Sequence, residues 1–120
     1  MNETKRKKLE KQILRLVAEI TYRRLKNVET GLITYTSCSL SSDGSHAEIS
    51  VSVFENADTP DNGKSIQSLN RAAGFFRNLV GKSMGLRNAP EIKFIADNSY
   101  EKIQRINSLI DSENNDNSQS

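Results

Sequence analysis

Acidic residues are absent from Gly63 to Pro90, and Lys and Arg are absent from Glu29 to Asp61. Charge of each sign is therefore segregated along the chain. Cysteine is nearly missing as well. Cys38 is the single thiol, so an internal disulfide has no second partner, which suits a reducing cytoplasm. There is one histidine, His46, and no Cys-x-x-Cys pair, so the ligand set of a zinc site is lacking. No apolar run approaches the roughly 20 residues that cross a bilayer, which excludes a transmembrane helix and gives no reason to expect a membrane partner. The charged N-terminus is not followed by an uninterrupted apolar block, so a signal peptide is not expected.

What is present points to one small domain, the default for 120 residues. The net charge of +2 understates the polarity: residues 1–26 carry nine Lys/Arg against three Glu, and residues 63–90 carry five basic residues and no acid. Such segregation suits basic surfaces facing a polyanion. It also suits the solvated faces of ordinary exposed helices, and charge alone does not separate the two. The expected organisation is a flexible basic arm over residues 1–7, a folded unit over 8–110 and a disordered acidic tail over 111–120, which has no apolar residue.

Periodicity supplies the elements. A helix from about Lys5 or Lys8 to Leu25 carries the stripe Leu9, Ile13, Leu16, Val17 and Ile20. Lys7, Lys8, Lys11, Arg15 and Lys26 lie roughly opposite. Leu32–Leu40 has Thr, Tyr and Ile without a helical period and reads as a strand. Ser41-Ser42-Asp43-Gly44 is a turn signal. Ser45–Phe54 alternates cleanly, with Ala47, Ile49, Val51 and Val53 on one face. Glu55–Asn62 is a loop by composition. Gly85–Pro90 closes the helices that follow it. Glu91–Asp97 reads as a third strand, and Ser99 opens a last helix with the stripe Ile103, Ile106, Leu109 and Ile110. Three strands with helices grouped against them make an α+β domain of two layers. The order of the strands is left open.

The stretch from Gly63 to Pro90 organises the rest. Apolar residues recur at helical spacing on both sides of Ala72-Ala73-Gly74. A central Gly costs a continuous helix about 1 kcal/mol, whereas two helices meeting at a kink accommodate one. Ala and Gly there also let another backbone come close. Arg71, Arg77 and Lys82 are the side chains placed to contact phosphates, with Lys64 and Arg87 at the helix ends as weaker choices. Lys7, Lys8, Lys11 and Arg15 form a second basic patch. No pair of exposed aromatics interleaves these basic residues, so a base-stacking platform is not indicated. Of Phe75 and Phe76, one is expected in the core and the other partly exposed beside the kink.

Catalytic readings find little support. Cys38 and His46 are isolated residues on a hairpin. Gly63-Lys64-Ser65 resembles the end of a phosphate-binding loop, but Asp58 stands where that loop needs a Gly. Asp43, Glu48 and Glu55 have no arrangement that makes them an acid and base pair.

The order of elements, the Ala72-Ala73-Gly74 kink and the run Phe75-Phe76-Arg77-Asn78-Leu79-Val80-Gly81-Lys82 resemble bacterial ribosome-binding factor A. So do Ser42-Asp43-Gly44-Ser45-His46-Ala47-Glu48-Ile49-Ser50-Val51-Ser52-Val53, Pro90-Glu91-Ile92-Lys93-Phe94 and Asp97-Asn98-Ser99. The resemblance runs from Lys5 to Ile110. It implies a type II KH-like fold, ordered α-β-β-α-kink-α-β-α, in which an Ala-x-Gly kink stands for the Gly-x-x-Gly loop of ordinary KH domains. It implies a small cytoplasmic factor, without catalytic chemistry of its own, that matters most in the cold; a monomer that needs no cofactor is expected. Such a factor binds the free small (30S) ribosomal subunit and assists late maturation of 16S rRNA near its 5′-terminal helix. Where the family carries Asp-Pro-Arg between the first helix and first strand, this chain has Asn27-Val28-Glu29-Thr30-Gly31, without that Arg or the rigid turn. A general KH-type single-stranded RNA binder is the alternative, followed by a protein-interaction domain.

Overall fold

The structure, a computed structural model, describes residues 2–24, 33–54, 58 and 60–97. Its elements are α1 (Glu3–Arg24), β1 (Ile33–Leu40), β2 (His46–Val53), α2 (Lys64–Arg71), α3 (Ala73–Met84) and β3 (Glu91–Ala96). This is the expected α+β order as far as β3. The connection at 27–31, the expected last helix from Ser99 and the 111–120 tail lie outside the described residues. At the N-terminus, α1 takes in residues that charge pattern assigns to a loose arm. The reason is a cap: Asn2 Oδ1 accepts the Lys5 N–H at 2.8 Å, and Glu3 in the first turn faces Arg6 and Lys7 at 3.9 Å. A side-chain oxygen and an early acid satisfy and stabilise the helix start.

The sheet order is β1-β2-β3, with β1 antiparallel to β2 and β2 parallel to β3. The chain leaves β2, passes through both helices and returns beside it, and such a crossover is what a parallel pair requires. The helices cover one face. Ala47, Ile49 and Val51 of β2, Ile92 and Phe94 of β3 and Leu40 of β1 meet Ile13, Val17 and Ile20 of α1, Leu69 of α2 and Phe76 and Val80 of α3. Phe76 and Phe94 pack edge to face, with ring centroids 5.1 Å apart, a favoured aromatic geometry. The other face carries His46, Glu48 and Lys93 in the exposed class.

β1 lacks the alternation of β2 because it contains a bulge. Tyr35 pairs with Val51 and Ser37 with Ser50, so Thr36 is the extra residue. The insertion shifts the pleat by one, and the half-buried side chains run Ile33, Tyr35, then Cys38. The Tyr35 hydroxyl lies 2.6 Å from Thr21 Oγ1. Thr21 spends its own proton on the Val17 carbonyl at 2.8 Å, so Tyr35 is the donor. In the hairpin turn, the Asp43 carboxylate accepts from Ser41 Oγ, Ser45 N and Ser45 Oγ at 2.8, 3.1 and 2.7 Å.

Both sheet edges receive polar side chains from helices. Glu10 of α1 accepts the Leu40 N–H at 2.7 Å. Asn70 of α2 donates to the Phe94 carbonyl at 3.0 Å and accepts the Phe94 N–H at 2.8 Å. Unpaired strand groups are templates for unwanted pairing, and these bonds occupy them.

Candidate nucleic-acid interface

The two helices after the loop are separated by a single residue. Ala72 has φ −91° and ψ 7°, in the bridge region between the helical and extended wells. Its N–H is shared between the carbonyls of Ser68 and Leu69 at 3.2 and 3.0 Å, and its own carbonyl accepts the Phe76 N–H at 3.1 Å. The break therefore leaves this backbone satisfied. The change of direction lies at Ala72, and Gly74 belongs to the first turn of α3. Gly74 has no unusual φ, and a Cβ there would meet nothing within 4 Å, so neither strain nor packing among the described residues requires a glycine. Phe76 is buried and Phe75 is 41% exposed, the division expected for that pair.

At its far end α3 stops in a Schellman motif. Gly85 takes φ 65°, its N–H donates to Lys82 O at 3.3 Å, and the Leu86 N–H donates to Gly81 O at 2.9 Å. A left-handed residue at this position favours Gly. The chain then folds back over Gly81, where an added Cβ would stand 3.0 Å from the Ala89 Cβ. Arg77 fastens this return, its Nε–H donating to the Ala89 carbonyl at 3.0 Å.

The result is an open groove of about 510 Å³ with Gly74, Asn78, Gly81 and Gly85 along the helix and Arg77, Lys82 and Arg87 around it. Positions 74, 78, 81 and 85 follow helical spacing and share one face. No ion pair joins Arg77, Lys82 or Arg87 to a carboxylate among the described residues. Backbone exposed at Gly74 and Gly85, beside these cations, is a surface a sugar-phosphate chain can approach closely, whereas Gly81 is buried beneath Ala89. The structure thus brings together Gly74, Arg77, Lys82 and Arg87. Ala72 and Ala73 form the break itself, half-buried. Arg71 and Lys64 are exposed at opposite ends of α2, outside the groove lining. Asn78, Gly81 and Gly85 also line the groove and were not among the residues singled out in the sequence. Their helical spacing from Gly74 is the signal that finds them.

On α1, Lys8, Lys11 and Arg15 border a shallow depression of about 370 Å³ with Gln12, while Lys7 faces Glu3. Elsewhere, His46 Nδ1 lies 3.4 Å from Glu91 Oε2 across the parallel pair. Burial, reinforced by the Glu10 carboxylate, pushes the Cys38 thiol up to about 12, so it is no nucleophile at neutral pH. Ser65 Oγ of the Gly63-Lys64-Ser65 run donates to the Asp61 carboxylate and is buried.

A model of the family "Ribosome-binding factor A" matches residues 5–110. The ribosome-binding factor A of Natranaerobius thermophilus is 34% identical over 110 residues, 92% of this chain and 82% of that protein. A Thermotoga maritima protein assigned to ribosome-binding factor A, solved by NMR, superposes with TM-score 0.66 at 31% identity over 79% of this chain and 90% of that one. The homology model of the Thermus thermophilus factor, as fitted into a cryo-EM map of its complex with the 30S subunit, gives TM-score 0.62 at 25% identity over 76% of this chain and 93% of that one. With its three-stranded sheet and paired helices of KH-like type, the chain belongs to the ribosome-binding factor A family.

Proposed function

We propose that this chain binds the free 30S ribosomal subunit through 16S rRNA and assists late maturation of that rRNA near its 5′-terminal helix. The observation that carries this reading is the groove on α3, where Arg77, Lys82 and Arg87 surround backbone exposed at Gly74 and Gly85, with no acid in the lining among the described residues. The family membership and the Thermus relative fitted on the 30S subunit support the choice of partner. Phosphates seat on the three cations, with Arg71 and Lys64 extending the track along α2. These contacts fix position without reading sequence. The RNA-binding unit spans residues 8–110. It acts in the cytoplasm as a monomer, by binding rather than by chemistry: affinity for one arrangement of the immature rRNA raises the population of that arrangement, and nucleases then trim it.

The test is sedimentation of a lysate grown in the cold, with the wild type beside Arg77→Glu/Lys82→Glu. The wild type is expected with free small subunits and absent from translating ribosomes, and the double reversal at the top of the gradient. A wild type that stays at the top in low salt, yet binds unrelated oligonucleotides alike, replaces this reading with that of a general KH-type single-stranded RNA binder. Precursor 16S rRNA that does not accumulate in the cold when the gene is deleted refutes the maturation role.

A further inference from the structure

We infer that Asn78 reads the sugar of the bound strand: its carboxamide oxygen accepts a hydrogen bond from a ribose 2′-hydroxyl, so that the α3 groove takes RNA in preference to DNA. The inference rests on the RNA-binding reading above and adds to it the residue that selects the kind of strand.

The inventory of donors and acceptors carries the argument. Arg77, Lys82 and Arg87 can only donate. Asn78 is the one side chain among the described lining residues that can accept. Backbone carbonyls at that end of the groove are already committed. Those of Lys82 and Gly81 receive the Gly85 and Leu86 N–H groups at 3.3 and 2.9 Å, and that of Ala89 receives Arg77 Nε–H at 3.0 Å.

The Asn78 amide is also idle. Its residue is exposed, and it makes no side-chain hydrogen bond among the described residues. Asn70, by contrast, spends both ends of its amide on Phe94 at 3.0 and 2.8 Å. Asn78 lies four residues after Gly74 and four before Lys82, so the three share one side of α3. It stands there between exposed backbone and a cation, and Gly74 has no side chain to screen it.

Chemistry selects the partner. The phosphate and ring oxygens of a sugar-phosphate chain only accept, which suits the three cations and leaves Asn78 Oδ1 unmatched. The 2′-hydroxyl is the donor on that chain, and it is the group that separates RNA from DNA. Each ribose lies between successive phosphates, as Asn78 lies beside Arg77 and one turn from Lys82.

The test compares the affinities of fluorescein-labelled oligouridylate and its 2′-fluoro and 2′-deoxy forms by anisotropy. Fluorine cannot donate but keeps a ribose-like pucker, so that strand separates the hydroxyl proton from the shape of the sugar. The wild type is expected to bind the ribose strand about fivefold more tightly than either other strand, the worth of one hydrogen bond. Asn78→Ala puts a better helix former at an exposed position. It is expected to lower the affinity for the ribose strand to that of the 2′-fluoro strand, whose own affinity does not change. Equal binding of the ribose and 2′-fluoro strands by the wild type overturns the inference, as does a preference that persists in Asn78→Ala. If Arg77→Glu/Lys82→Glu still abolishes binding of every strand in those cases, the function proposed above stands. Binding of every strand that survives the charge reversal overturns both.

Discussion

Asn70 and Phe94 exchange two hydrogen bonds, side-chain amide to backbone, at 3.0 and 2.8 Å. The amide of Asn70 offers the outer edge of β3 the donor and acceptor that a further strand would offer. It also pins the last turn of α2 to the sheet, and with it the break at Ala72.

Asn70→Ala removes both bonds. At about 1 kcal/mol for each, the expected loss is about 2 kcal/mol, read as a lower urea midpoint at unchanged slope. Asn70→Asp keeps the acceptor but sets a carboxylate against the Phe94 carbonyl, and is expected to do no better. A midpoint that does not move in Asn70→Ala means that water replaces the amide.

Gly74 and Gly81 separate binding from stability. Gly74→Ala adds a methyl that meets nothing within 4 Å and replaces the poorer helix former, so thermal stability is expected to hold or rise by up to about 1 kcal/mol. Small-subunit association is expected to weaken, because the methyl stands where the RNA backbone approaches. Gly81→Ala meets the Ala89 Cβ at 3.0 Å, so both stability and association should fall. Undiminished association in Gly74→Ala removes close backbone approach from the mechanism.

Cys38 is expected to resist alkylation in the native protein at pH 8 and to react on unfolding. Its thiol is raised from an ordinary 9.0 to about 12, first by burial and then by Glu10. The folded pKa exceeds the unfolded one, so the thiol leaves stability untouched below pH 9 and lowers it as pH climbs from 9 towards 12. Cys38→Ala flattens that decline. Glu10→Gln, which removes the second cause, is expected to increase native reactivity.

Asp43 reports on the hairpin from the acid side. Hydrogen bonds from Ser45 and then Ser41 hold its carboxyl down from 3.8 to about 2. A depressed folded pKa contributes stability that is present above 3.8 and fades as pH falls through 2. The protection factor of the Ser45 amide, its exchange divided into the intrinsic rate at each pH, should therefore fall as pH drops through that window, and Asp43→Asn should remove that fall. A protection factor that is constant with pH in the wild type rules out the carboxylate as the turn's organiser.

The order of elements and much of the core were legible because β2 alternates strictly and α1, α2 and α3 keep a helical stripe. β1 was legible only as a strand. Its pattern is broken at Thr36, and a bulge hides the face on which Ile33, Tyr35 and Cys38 lie. Strand order was not legible, since a crossover through two helices fits either position for β3. The site was half legible. Gly74, Arg77, Lys82 and Arg87 stood in one basic stretch, yet the return of the chain over Gly81, which gives the groove its wall, depends on a contact with Ala89 that no local pattern announces. Asn70 was invisible for the same reason: its partner is Phe94, on another element.

The parallel placement of β3 against β2 fixes the order in which the chain can mature during its own synthesis. α1 and the β1-β2 hairpin are joined by local contacts and emerge first. The second edge of β2 then waits, unpaired, until both later helices and the strand beyond them have been made. During that interval the row Ala47, Ile49 and Val51 lacks Ile92, Phe94 and Phe76, its neighbours in the finished core. Pairings of long sequence separation close late and leave sticky intermediates exposed. Release of the chain before Glu91 therefore yields a fragment in which this edge of β2 stays open and Phe76 lacks Phe94, prone to aggregate although every residue lining the α3 groove has been made.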